Sequence, residues 1–495
     1  MDRVVSSTVV IVGAGAAGIA AASKLLKNGI KNIVILEAEN RLGGRLHTVP
    51  FGVSTLTGLI YILDGHIDIG AQWIHGEEGN IVFQMAAAKN LVSDRRETIK
   101  QFQNSMFVSS SSHVIPLNLS REYLKIAYTI LDDSPKDDLE RFMSLGELFQ
   151  KRMENVPINT EELPLKQLVN WCHHYQNSYN GSDSLYEASA INIDTYKSCA
   201  GYPAISWKSK GFSTIIDLLL DKYNNESEHL CIKDKVIFGK EVVKIYWSGN
   251  RVDIICADNS RYQADFALLT VSLGVLKNVC NELFEPELPQ YKLKAIKDLG
   301  IGTVDKLFLK FPHKWWPDDI PGFSFLWSDE DRERFIKENK RRGWDYLCDV
   351  FGFYTCDNCP NTLLGWIVGP AARNMERKSI DEIKIGLVYL LNKFLADKFT
   401  IPIPDLVTRS QWGTNTHFYG SYSFHSMNTD KEGKANSLLA EPLVNSDGKN
   451  ILCFGGEATH NDYFSTVHGA IETGWREADR ILEQLKDTEK KKCFL

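Results

Sequence analysis

The chain has 495 residues, 43% of them hydrophobic and 24% charged, with a formal net charge of −7. That composition is globular rather than disordered or membrane-like, and the length exceeds what one ordinary core supports, so two or three domains are expected. The acidic balance excludes a dominant nucleic-acid footprint and favours cationic small ligands. No apolar run approaches the roughly 18 to 20 residues needed to cross a bilayer. Ten scattered cysteines suit free thiols in a reducing compartment. The first apolar stretch reads as part of the fold and not as a signal peptide, so a cytoplasmic protein, monomeric or weakly dimeric, is expected.

Residues 9–45 read VVIVGAGAAGIAAASKLLKNGIKNIVILEAENRLGGR. An apolar run enters Gly13-x-Gly15-x-x-Gly18, a helical stretch follows through Ala17, and a second apolar run ends on Glu37. Strand, tight turn, helix, strand and acid is the order of the βαβ unit that grips a dinucleotide. Gly13 permits the turn, Gly15 lets backbone approach a pyrophosphate, and Gly18 lets helix and strand pack closely. The helix N-terminus faces the phosphates with its partial positive charge. Glu37 stands about 20 residues beyond Gly18, where a carboxylate accepts from a ribose. Immediately after it come Arg41-x-Gly43-Gly44-Arg45. Two guanidinium forks beside a glycine pair can pin a pyrophosphate. A nicotinamide dehydrogenase needs no such second clamp, so the pattern points to a permanently held FAD.

Further along, residues 67–71 read as a strand ending at Gly70-Ala71, followed by Gln72-Trp73-Ile74-His75-Gly76. Residues 86–204 are polar and helical in character. Strands are expected at 242–247, 251–257 and 266–271, with a Pro-rich boundary at 283–289. Residues 302–311, GTVDKLFLKF, alternate apolar and polar side chains, as a half-buried strand should. Residues 379–399 predict an amphipathic helix, 450–456 a strand closing on glycines, and 473–485 a terminal helix with Arg476 and Arg480 on one face. Cys356-x-x-Cys359 lacks partners at metal spacing, and no metal site is expected. The expected fold is α/β plus α+β. A discontinuous Rossmann-like FAD-binding domain takes residues 1–85, 205–285 and 445–495. An interleaved substrate-binding domain of mixed sheet and helices takes 86–204 and 286–444.

The stretches VGAGAAG, ExxxRxGGR, DIGAQWIHG, VSLGVLK, GTVDKLFLKF, LLGWIVG, GSYSF and GGEATHNDYFSTVHGA, with GWREADR after them, run nearly end to end. In these the sequence resembles the flavin amine oxidase family, within its polyamine oxidase branch of spermine and acetylpolyamine oxidases. The resemblance implies that Gly13, Gly15, Ala17, Gly18, Glu37, Gly43, Gly44 and Arg45 hold the adenosine and pyrophosphate of FAD. It places Gly70, Ala71, Gln72 and Trp73 along the cofactor, Val242 against the adenine, and Gly456 and Glu457 by the ribityl-phosphate region. Thr466 and Val467 would reach the isoalloxazine edge, with Trp412 packed against the ring system. Covalent monoamine oxidases carry a cysteine before the tyrosine matching Tyr422. Ser421 stands there in this chain, which implies non-covalent FAD.

Amine oxidation moves a hydride equivalent from the carbon beside nitrogen to the flavin, and the reacting amine must be neutral. Lys306 sits in an otherwise apolar strand, where an ammonium is costly and its pKa should fall. The matching family lysine reaches flavin N5 through a water and assists reoxidation or imine hydrolysis. His75 matches the residue the family places at the substrate amine, and imidazole titrates in the right range. Tyr422, Phe464 and Trp73 read as aromatic walls that hold an amine by cation–π contact. Thr466 replaces a tyrosine of the monoamine oxidases, which suits the polyamine branch. Glu187-x-Ser189 aligns with an acid and a hydroxyl that spermine-oxidase-like members use for the distal amine. The expected activity is FAD-dependent oxidation of spermine or acetylated polyamines by O2. The products would be hydrogen peroxide, an aminoaldehyde and a shorter amine. Competing readings are a demethylase-like or small-amine oxidase, a silent flavin binder, and a nicotinamide dehydrogenase.

Overall fold

The computed structural model describes residues 4–52, 65–93, 102–156, 164–223, 232–429 and 434–493. Its first sheet grows around β1 (Val5–Val12), whose run from Val9 to Val12 is buried on both faces, as strands of a covered parallel sheet are. After the glycine turn comes α1 (Ala16–Lys27), and then β2 (Ile33–Leu36) returns parallel to β1 with Val9 opposite Ile33. On its other side β1 pairs in parallel with Arg261–Leu269. That strand is long enough to serve two neighbours on its far edge. Val252–Cys256 runs antiparallel against its first half, and Asn450–Phe454 runs parallel against its last residues. Among the described residues this sheet has nine strands, drawn from 5–36, 236–285 and 443–454. One face is covered by α1 and the long helix Val467–Cys493, which come close because Gly474 lies on the Ala17 carbonyl. A Cβ at Gly474 would stand 2.2 Å from that oxygen.

The second sheet is mixed, in the order Leu406–Arg409, Val304–Lys310, Thr362–Val368, Gly352–Thr355, Gly322–Leu326 and Met106–Ser109. Sequence alternation predicts that Val304–Lys310 is half-buried, yet all seven residues are buried. The reason is that both faces are covered. Val304 and Phe308 join a core with Tyr123, Leu124 and Trp171 of the helices Leu117–Asp132 and Leu165–Asn180. Leu307 and Leu309 join another with Ile383, Leu387 and Leu390 of Ile380–Leu395. The polar residues of the strand are therefore interior groups with partners: Ser410 Oγ donates to Asp305, and the Lys306 ammonium has the acceptors described below.

The helix expected near 379–399 starts with a capping box between Ser379 and Glu382. Arg476 and Arg480 do share a face, where both bond the fully buried Glu477. A short antiparallel pair, Thr48–Pro50 with His66–Asp68, carries the chain from the first sheet towards Lys306. Among the described residues no helix is long and apolar enough to cross a membrane.

Candidate active site

A cavity of about 910 Å³ opens beyond the C-terminal ends of β1 and β2, where open α/β sheets bind their ligands. Its wall includes Gly13, Gly15, Ala17, Glu37, Gly43, Gly44 and Arg45 from the first sheet's loops. Gly70, Ala71, Gln72, Trp73, Val242, Trp412, Gly456, Glu457, Thr466 and Val467 complete the expected cofactor set. Gly18 alone of that set lies off the wall, and its work is packing: a Cβ there would be 2.0 Å from the Gly13 carbonyl oxygen. Gly13 has φ +104°, which only glycine adopts freely. Gly15 and Gly456 are different. A Cβ at either would meet nothing closer than 3.9 and 3.8 Å respectively, so both faces are left open to a guest. Gly15 also caps α1 without a side-chain hydrogen bond, leaving first-turn amides for an anion.

Glu37 is held by the amides of Ala14 (2.7 Å) and Glu39 (2.8 Å). Burial pushes its carboxyl up while those two amides pull it back. Arg45 donates to the Ser421 carbonyl and to Glu457, both at 2.8 Å, and Glu457 also accepts from Ser423 Oγ and the Ser465 amide. Arg41 departs from the expected clamp. It pairs with Glu39 at 2.7 Å, donates to the Leu46 carbonyl and does not line the cavity. The carboxylate of Glu39, two residues beyond Glu37, is its partner. Trp412 is set by Glu376, whose carboxylate accepts from the next two amides, Gly413 (2.7 Å) and Thr414 (2.6 Å). Open glycine faces, free helix amides and an amide-held acid at the end of β2 together fit a dinucleotide.

The same cavity contains His75 and Lys306. His75 Nδ1 lies 2.9 Å from the Pro203 carbonyl, which can only accept. The neutral ring therefore carries its proton on Nδ1 and keeps a lone pair on Nε2. Burial lowers its pKa, which favours that neutral form. Lys306 donates to Asp68 O (2.9 Å), Gly70 O (2.7 Å) and Gln72 Oε1 (2.9 Å). Those three bonds use every hydrogen of the ammonium. Burial pushes this ammonium down to about 8, against the pull of the Asp68 carboxylate.

Trp73, Tyr422 and Phe464 all line the cavity. Trp73 stacks on Trp366 at 5.9 Å, Phe464 stacks on His425 at 4.5 Å, and the Tyr422 hydroxyl donates to the Ser178 carbonyl. Glu187 and Ser189 are not brought to this wall. Glu187 is exposed and faces Asp183 and Arg373 electrostatically, while Ser189 is buried in a bridge to Ser144 with its amide bonded to the His425 carbonyl. The carboxylate on the wall beside Tyr175 and Tyr179 is Asp132, at the end of Leu117–Asp132, while Glu37, Glu241, Glu282 and Glu457 line other parts of it. The Asp132 side chain is exposed, as that of Glu187 is, and desolvation by the surrounding protein raises its pKa. Sequence reasoning missed Asp132, and also Trp366, which faces Lys306 in register on the neighbouring strand. The LLGWIVG stretch carries Trp366, but its place follows only from strand pairing.

Residues 16–482 match the family model of the flavin-containing amine oxidoreductases. A peroxisomal N(1)-acetyl-spermine/spermidine oxidase of Homo sapiens is 28% identical, over 96% of this chain and 94% of that protein. Polyamine oxidase 3 of Oryza sativa subsp. japonica is 27% identical, over 97% and 90%. A lysine-specific histone demethylase 1 homolog of the same plant is 26% identical, over 96% of this chain but only 57% of its own length. A redesigned putrescine oxidase structure shares the fold with a TM-score of 0.64 at 16% identity, over 97% of this chain and 100% of that one. With the glycine turn, the amide-held acid and the cavity they open on, these matches establish that the chain belongs to the flavin-containing amine oxidoreductases and that its dinucleotide is FAD.

Proposed function

We propose that this protein is a polyamine oxidase that cleaves spermine-like substrates using O2. One observation carries the reading: a single cavity is walled by the dinucleotide turn, by a neutral imidazole, by a buried lysine and by a run of aromatic rings ending at a carboxylate. A polyamine must present one neutral nitrogen for reaction while its other nitrogens remain cationic. His75 Nε2, with its lone pair, accepts from the reacting nitrogen, orients it and can take the proton that this nitrogen must lose. Trp73, Tyr422 and Phe464 hold the chain between them by cation–π contact, and Asp132 pairs with the distal ammonium. FAD, when bound, takes the hydride equivalent and passes the electrons to O2, giving hydrogen peroxide. Hydrolysis of the oxidised amine then yields an aminoaldehyde and a shorter amine. Lys306 handles a proton beside the reacting centre.

Ser421, whose hydroxyl is engaged with the Val304 backbone, offers no thiol for attachment, so FAD is held non-covalently. A charged distal site favours spermine over its acetylated form, which lacks the ammonium that Asp132 would pair. Eight described free cysteines accord with a cytoplasmic protein. The test is peroxide release with spermine, N-acetylspermine, spermidine and a simple monoamine. Turnover is expected with spermine first, and no peroxide from any polyamine would overturn the proposal.

A further inference from the structure

The hydrogen bonds of Lys306 can be counted in both of its protonation states. An ammonium has three donors and no acceptor, and here all three are spent on Asp68 O, Gly70 O and Gln72 Oε1. A neutral amine has two donors and a lone pair. Loss of the proton therefore leaves one of the three oxygens without a donor and sets lone pair against lone pair, a costly arrangement for a residue only 5% exposed. Two of the oxygens cannot move. The main chain carrying them is fixed by Ile69 N donating to His47 O and Ala71 N to Arg45 O, and Gly70 is so tightly seated that a Cβ would be 1.8 Å from the Arg45 oxygen. The third acceptor belongs to a carboxamide on a rotatable bond, with an acceptor on one side and two donors on the other.

We propose that Gln72 is the positioning residue that lets Lys306 exchange its proton within the fold, its amide oxygen accepting from the ammonium and its flipped NH2 donating to the neutral amine. The inference rests on the reading of Lys306 as the proton-handling group of this site. The other titratable groups facing Lys306 are the Asp68 carboxyl and the Cys356 thiol. Asp68, held by Thr48 Oγ1 and the Phe212 amide, is pushed up only to about 6, so it is ionised above neutrality. Burial pushes the Cys356 thiol up to about 12, so it stays neutral. Between pH 7 and 10 neither changes charge, and Gln72 is the partner able to answer a change at Lys306.

The test uses FAD-loaded, oxidised protein labelled with [ε-13C]lysine, the Lys306 resonance being assigned by its loss in Lys306→Met. Its midpoint is followed by 13C shift in wild type, Gln72→Met and Gln72→Glu. Methionine can neither accept nor donate as the amide does and is expected to lower the midpoint by about one unit, a tenfold change in proton affinity, whereas glutamate should raise it by at least that much. The pH profile of reoxidation by O2, measured after photoreduction, should move in the same two directions. A purely structural role for Gln72 would not give opposite shifts, and either variant that folds and retains yellow FAD decides the matter. Midpoints unchanged in the variants would overturn the role of Gln72. If the midpoints move as expected but Lys306→Met reoxidises at the wild-type rate, the coupling stands and the reading of Lys306 as proton handler fails.

Discussion

Replacing Lys306 by methionine should remove a pH dependence from the stability of this protein. Burial pushes the ammonium from 10.5 to about 8, and at about 1.4 kcal/mol per unit the folded chain carries roughly 3.4 kcal/mol of penalty while Lys306 is charged. The sign follows from proton counting. Below about pH 8 the lysine is protonated folded and unfolded, and the full penalty applies. Between 8 and 10.5 the unfolded chain binds more protons, so wild-type stability rises with pH. Above 10.5 the penalty is gone. Integrated from pH 7 to 10, the wild type gains roughly 2.5 kcal/mol from this one group. Methionine gains none of it. At pH 7 the variant escapes the penalty but leaves three oxygens, one buried and two half-buried, without their donor at about 1 kcal/mol each, so the two proteins should be nearly equal. At pH 10 the variant should trail by roughly 2.5 kcal/mol. Urea denaturation of both FAD-loaded proteins at the two pH values measures this. Parallel pH dependence would mean that Lys306 is not a desolvated cation.

Other substitutions probe the rest of the site. Gly15→Val puts two methyl groups into the face left open to the pyrophosphate, so folded but colourless protein is expected, with flavin absorbance as the readout; normal yellow protein would contradict the placement. Asp132→Asn should raise KM for spermine roughly fivefold, as for a partly screened ion pair worth ~1 kcal/mol, and leave kcat and monoamine turnover unchanged. Steady-state kinetics with both substrates would expose an equal effect on the two, which the placement of Asp132 does not allow. Glu187→Leu should leave KM for spermine within about twofold, since the residue stands off the wall and an exposed charge contributes little; a larger loss in the same assay would return Glu187 to the substrate.

The glycine turn, Glu37, Arg45 and the closing Gly456-Glu457 pair were legible in the chain because their roles depend on backbone geometry and short spacing. Lys306 was legible as a cation in an apolar strand, although its alternation suggested one wet face. That pattern misled because polar residues with partners can be interior, and Asp305 finds Ser410 only through the fold. Arg41 stands off the wall for a related reason: its near neighbour Glu39 is its counter-charge. Glu187 lies off the wall and Asp132 on it because the wall is assembled from ends of helices. Which end faces the cavity depends on how Leu117–Asp132 and Leu165–Asn180 pack, and no local spacing encodes that. Gln72 was placed along the cofactor by resemblance, but its bond to Lys306 joins residues 234 positions apart.

The order of strands in the first sheet has a consequence for how the molecule is made. β1 is synthesised well before one of its two sheet neighbours, Arg261–Leu269, and Asn450–Phe454 comes later still. The glycine turn is translated long before Gly456, Glu457, Thr466 and Val467, which line the same cavity. A nascent chain therefore holds half a cofactor site until those later segments are made, with an apolar strand lacking a neighbour. FAD capture consequently waits for residues 456–467, and flavin scarcity would act only after that segment is made.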